Sequence, residues 1–221
     1  MRTVFRAQLD QCVGHLATMC DLAVDAMRSA TQGLLNADLR LAEQVIADDA
    51  LLDQARVFCE DRVQSLLALQ SPVAGDLRVL IAALHTADTL ERMGDLAVHV
   101  AMTGRRRHPH PVLPAQLRPA VASMAHTSIT LADSAGLVLR NLDLTAAVSV
   151  ERGDDVVDEQ HRHLLTLLMS EDWPYGVTTA VDLAQLSRYY ERYADHAVSV
   201  ARRMIYVLTG QPRPPRLDRA A

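Results

Sequence analysis

The sequence predicts an all-α protein made of two tandem three-helix bundles related by an internal repeat. Three observations carry that reading. The nine prolines fall at 72, 109, 111, 114, 119, 174, 212, 214 and 215, with long proline-free stretches between them. A proline in a helix interior costs about 3 kcal/mol, so those stretches are free to be long helices. Alternating strand-like runs are absent, and the helix formers Ala, Leu and Arg are abundant. The halves also repeat. "LNADLRLAEQVIADDALLDQ" at 35–54 aligns with "RNLDLTAAVSVERGDDVVDE" at 140–159, and "LERMGDLAVHVA" at 90–101 aligns with "YERYADHAVSVA" at 190–201. Such self-similarity takes priority over local motifs when a fold is chosen.

Each element has its own punctuation. The first helix spans about 3–35 and breaks at Asn36-Ala37-Asp38; the second spans about 38–70. Ser71-Pro72 reads as an N-cap followed by proline at the first helical position, opening a third helix over about 72–103 that stops at Gly104. Residues 1–104 thus form the first bundle, and 105–114 a solvated linker containing Arg105, Arg106, Arg107, His108 and His110. A fourth helix runs from about 114 to 141 and a fifth from about 143 to 170. The turn Asp172-Trp173-Pro174-Tyr175-Gly176 leads to a sixth over about 177–209, ending at Gly210. The second bundle is 115–210, and the proline-rich tail 211–221 is expected to be loose.

Composition narrows the function. Hydrophobic residues make up 49% of the 221, enough for a real core. The formal charge of −5 argues against a nucleic-acid footprint, which needs a basic patch or stripe. Charges at Arg2, Arg6, Asp10, Asp21 and Asp25 interrupt the first 25 residues, so neither a secretory signal nor a membrane span is expected there. Cys12, Cys20 and Cys59 are too few for a disulfide framework and read as reduced core residues of a cytoplasmic chain.

The chemistry-bearing residues are four acidic pairs at i, i+4: Asp49 and Asp53, Glu91 and Asp95, Asp154 and Asp158, Glu191 and Asp195. That spacing puts both carboxylates on one helix face, where like charges repel unless a cation compensates. In each half the two pairs lie equally far from the intervening turn, near Pro72 in one and near Pro174 in the other. Antiparallel hairpins would therefore bring four carboxylates level at one edge of each bundle. Oxygen-rich sets suit hard cations or iron. A single such pair is usually a solvated face; four, repeated and level, favour metal. Asp48 and Asp155 adjoin the pairs and are spare ligands or surface charges. His99, His196, His161 and His163 are secondary candidates, more simply read as exposed or capped.

These residues resemble the PhoU family, the phosphate transport system regulatory proteins. The resemblance covers about 1–210. It rests on the two E-R-x-x-D helices at 90–101 and 190–201, on "QSPVAGDLRVLIAAL" at 70–84, and on the acidic pairs of the second and fifth helices. The second half departs at "YGVTTAVDLAQLSRY", which lacks the P-V-A-x-D-L-R pattern. The resemblance implies a cytoplasmic regulator linking a phosphate ABC transporter ATPase to a sensor histidine kinase. It further implies homodimers and metal at the acidic motifs, with iron, zinc or magnesium all open. Membrane association would come only through partners.

Three functional readings follow. The first is a non-enzymatic adaptor, consistent with the absence of a phosphate-binding loop, a kinase motif set and a nucleophile elbow. The second is a helical-bundle carboxylate metalloenzyme, weakened because no Glu-x-x-His occurs. The third is a purely structural bundle with solvated acids. Arg105–Arg107 form a short basic patch, too small for firm membrane recruitment and read as a solvated loop.

Overall fold

A computed structural model describes residues 2–211; the expectation of a loose tail lies, but for Gln211, outside them. Six α-helices follow in order: α1 Arg2–Asn36, α2 Leu39–Gln70, α3 Ala74–Arg107, α4 Arg118–Asn141, α5 Leu144–Leu168 and α6 Gly176–Thr209. No strand occurs among the described residues.

The repeat is visible in how the helices end. Ala37 (φ 53°) and Leu142 (φ 53°) each turn the chain through the left-handed region. Each is followed by an aspartate cap: Asp38 accepts from the Leu41 amide, and Asp143 from the Thr145 and Ala146 amides. These caps satisfy amides that the first turn of a helix cannot pair internally.

Three expected boundaries are corrected. Ser71 does not cap α3. It ends α2 in a left-handed conformation (φ 43°), and α3 starts after Val73 with no side-chain cap. Gly104 does not stop α3, which continues to Arg107. A methyl at Gly104 would make only ordinary contact with Leu34, 3.5 Å from its Cα, so the helix runs through this glycine without strain. Pro114 does not open α4, which starts at Arg118 with Pro119 in its first turn. The segment between α3 and α4 is not wholly solvated either: Val112, Leu113 and Leu117 are buried.

Helices α1, α2 and α3 pack together, as do α4, α5 and α6. The two bundles join through α1 against α4 and α3 against α6. Four helices thus form a central square, α1–α3–α6–α4, with α2 and α5 flanking it. Tyr190 and Tyr193, both fully buried, reach diagonally across this square from α6 to α1. The Tyr190 hydroxyl meets Thr31 Oγ1 at 2.9 Å, and the Tyr193 hydroxyl donates to the Ala23 carbonyl at 3.2 Å. One face of the molecule is therefore the row α2, α3, α6, α5.

Within that row α3 and α6 are antiparallel. Arg78 near the start of α3 donates to the Tyr206 carbonyl near the end of α6, at 3.4 Å. At the other end Arg106 and Arg107 meet Asp182 at 3.1 and 2.6 Å. These arginines are not a solvated loop: they close a buried acid between the bundles, and Arg105 reaches Glu43 at 3.6 Å.

Candidate metal centre

The seam between α2 and α3 gathers the first acidic set. Arg56 approaches Asp88 at 4.0 Å on the turn side and Arg105 approaches Glu43 on the far side, so α2 and α3 run antiparallel with the acids between. Gly94 permits the approach: a methyl there would lie 3.4 Å from Asp49 Oδ1 and only 2.5 Å from Leu52 Cδ2. Asp53 and Asp95 are exposed, Asp49 and Glu91 half-buried, so this set opens to solvent at the bundle edge.

Two of the four carboxylates, Asp49 and Glu91, feel the charge of the others. The Asp49 carboxyl is pushed above its usual range by burial, then by Asp95 and Asp53, with His99 opposing. Glu91 is pushed up by burial and then by Asp95; Arg56 opposes that, Asp53 adds to it, and Arg92 opposes. Charge repulsion in a partly dehydrated seam is what a bound cation relieves. The donor set is all oxygen, which fits a hard cation or iron. As the side chains stand, no three His, Cys, Asp or Glu residues among the described ones converge as metal ligands. The charge therefore fits an ion, and rotamer changes would have to close the donors around it.

The α5–α6 seam differs. Asp154 and Glu191 are buried, Asp158 and Asp195 intermediate. Glu191 and Asp158 are close enough to raise the Glu191 carboxyl, but burial is the larger cause and Arg188 opposes both. Arg188 Nη1 donates to both carboxylate oxygens of Glu191, at 2.6 and 2.7 Å. The register of α5 against α6 places Asp154 and Asp195 at one level, bracketed by His161–Ser187 at 3.1 Å and Arg202–Glu151 at 3.1 Å. Here a guanidinium already compensates one of the predicted ligands.

Two buried acids escaped sequence reasoning, Glu151 with Arg202 and Asp182 with Arg106 and Arg107. Their cationic partners are distant in sequence, so no local pattern marks either one. Of the secondary candidates, His99 stacks on Tyr189 with ring centroids 5.3 Å apart, and His161 bonds the Ser187 hydroxyl. His196 is partly buried, and burial together with Arg192, Arg92 and Arg203 pushes it down to about 4. It is a neutral imidazole at neutral pH.

Comparisons with known proteins agree with the repeat. A family model described as the PhoU domain matches twice, at 16–103 and 121–204. The chain is 46% identical over 210 residues to the phosphate-specific transport system accessory protein PhoU homolog 1 of Mycobacterium leprae, covering 95% of both. It is 47% identical over 210 residues to PhoU homolog 2 of Mycobacterium tuberculosis, covering 95% of this chain and 99% of that one. The crystal structure of PhoU from Pseudomonas aeruginosa superposes with a TM-score of 0.83 at 28% identity, over 94% of this chain and all of that one. The phosphate transport system regulatory protein PhoU from Streptococcus pneumoniae shares the fold, with a TM-score of 0.84 at 20% identity over 95% and 99%. With both halves matched and relatives near half identity along almost the whole chain, this protein belongs to the PhoU family.

Proposed function

We propose that this protein regulates phosphate uptake and phosphate-starvation signalling in the cytoplasm, as a non-enzymatic adaptor that binds metal at its acidic seams. The regulatory part is supported by full-length relatives named as accessory proteins of phosphate-specific transport. The observation that carries the metal part is the half-buried Asp49 and Glu91, whose carboxyls are raised by burial and by the neighbouring charges of Asp53 and Asp95 along one open seam. These four would hold the ion of the first bundle, and Asp154, Asp158, Glu191 and Asp195 that of the second. Iron, zinc and magnesium are the candidate ions.

In this reading the ion fixes the edge of each bundle, and the helical faces dock the transporter's ATPase and the sensor histidine kinase, with the protein acting as a homodimer. Membrane contact is indirect: no described helix is long and apolar enough to cross a bilayer. The test is a gene deletion complemented by wild type or by Glu91→Ala plus Asp95→Ala. Deletion is expected to derepress phosphate-responsive transcription at high phosphate, and the variant to complement poorly while losing metal. Unchanged transcription on deletion would remove the regulatory role; full complementation by a metal-free variant would separate metal from function.

A further inference from the structure

The three cysteines are all free and buried, and two of them share a cavity. It measures about 310 Å3 and is lined by Gln11, Cys12 and His15 of α1 and by Phe58, Cys59 and Arg62 of α2. Contacts on both sides fix how these stretches meet. Arg62 donates to Gln11 Oε1 at 3.0 Å. One turn along, His15 Nε2 meets the Ala55 carbonyl at 2.9 Å, and its ring centroid lies 4.9 Å from that of Phe58. Cys12 falls between Gln11 and His15, and Cys59 between Phe58 and Arg62, so the two thiols stand at one level of the α1–α2 seam and border the same space. Cys20 is elsewhere: its Sγ meets the Ala132 carbonyl of α4 at 3.5 Å.

The surroundings of the pair suit a soft cation. Phe58 on the cavity wall is 58% exposed, so the space meets solvent at its rim. A carbonyl only accepts, so His15 Nε2 carries the ring proton and Nδ1 keeps its lone pair. Burial pushes the Cys12 thiol up, and the positive charge of Arg62 opposes that push. Cys59 is pushed up to about 12 by burial, then by Cys12 and Glu60. Both thiols therefore hold their protons at neutral pH until something displaces them.

We propose that Cys12 and Cys59 form a two-thiolate site for a soft, closed-shell monovalent cation, Cu(I). Sulfur selects soft ions, and Cu(I) is content with two sulfurs in line. Two thiolates around Cu(I) carry one net negative charge, which the Arg62 guanidinium on the same cavity balances. Zinc asks for four ligands. No three His, Cys, Asp or Glu residues among the described ones converge, so the cavity falls short of zinc. On binding, each S–H bond breaks as an S–Cu bond forms, and two protons leave to solvent with no change of oxidation state. The site is distinct from the acidic seams, whose oxygens suit hard ions.

The experiment titrates the full chain with Cu(I), without oxygen, against a chromophoric Cu(I) chelator and in excess magnesium. One Cu(I) per chain is expected, with two sulfur neighbours in copper-edge X-ray absorption. Because two protons leave per ion, affinity should rise about a hundredfold per pH unit near neutrality. Cys12→Ser and Cys59→Ser should each weaken uptake by more than about a hundredfold, since losing one of two ligands outweighs losing an outer-shell partner. Cys20→Ser should leave it unchanged. Copper with only oxygen and nitrogen neighbours overturns the proposal, as does unchanged affinity in the Cys12 and Cys59 variants. Zinc displacing Cu(I) from both sulfurs overturns it in favour of a four-ligand site. The X-ray measurement needs no variant, so it decides even where a serine in this core unfolds the chain.

Discussion

Asp182, buried at the start of α6, accepts from both arginines that end α3, Arg107 at 2.6 Å and Arg106 at 3.1 Å. The arrangement is lopsided, because Asp182 is 3% exposed while Arg106 is 56% exposed. Removing the acid leaves cations that water can reach. Removing the cations leaves a carboxylate that water cannot. Arg106→Ala with Arg107→Ala is therefore expected to cost about 3 kcal/mol, and Asp182→Asn only about 1 kcal/mol, in urea unfolding. The reverse order would show that Asp182 is hydrated in solution.

The diagonal bond between Thr31 and Tyr190 has its own signature. Tyr190→Phe orphans the buried Thr31 hydroxyl and should cost about 1–2 kcal/mol. Adding Thr31→Val removes the orphan, so the double variant should be no less stable than Tyr190→Phe alone. A double variant that loses the sum of both single costs would mean the two hydroxyls are not coupled.

Gly94 links packing to the acidic seam. Gly94→Ala drives a methyl into Leu52 and is expected to cost about 1–3 kcal/mol. Because Asp49 lies on the same side of that contact, metal uptake by the first bundle should fall in parallel. Trimming Leu52 to alanine in the Gly94→Ala background should restore part of the uptake, measured by elemental analysis of purified protein.

The raised carboxyls of Asp49 and Glu91 set a pH dependence. An acid whose folded pKa lies above its unfolded value binds protons more readily when folded. Its contribution therefore favours the fold at low pH and is lost as pH rises through the folded value. Chelated wild type should accordingly melt below Asp49→Asn plus Glu91→Gln at pH 7, with the gap closing towards about pH 4. Divalent metal should reverse the order at pH 7, since the variant lacks two ligands and protons compete with the ion.

The second bundle is expected to answer to Arg188. Its contact with Glu191 supplies the positive charge that an ion would otherwise bring. Arg188→Ala should raise metal content at α5–α6 and leave α2–α3 unchanged. The difference is measured in a background carrying Glu91→Ala and Asp95→Ala, so that only the second site counts. No gain in that background would mean that Arg188 does not compete with metal.

The helices were legible in the sequence wherever local chemistry ends them, as at Asp38, Asp143 and Gly210. Gly104 does not end α3 because a glycine near a helix end can also be carried through it, and here the helix runs on to Arg107. Ser71 was misread because the same residue can open one helix or close another. The levels of the acidic pairs were legible because two helices of equal reach must meet at equal distance from their turn. What neutralises them was not. Arg106 and Arg107 reach Asp182 from the other bundle, and Arg202 reaches Glu151 across fifty residues. Such pairings depend on how whole helices are stacked, which no window of sequence contains.

The antiparallel pairing of α3 with α6 has a consequence for recognition. Gly94 and Ala194, equivalent in the repeat, stand at corresponding heights, so half a turn about an axis between them carries one half of the molecule nearly onto the other. A partner approaching the row of α2, α3, α6 and α5 meets helices in the same order whichever way up it arrives, with α5 at 25 residues shorter than α2 at 32. The shorter α5, the Arg188–Glu191 pair and the open acids around Asp49 are the marks that break this ambivalence and give the molecule its polarity.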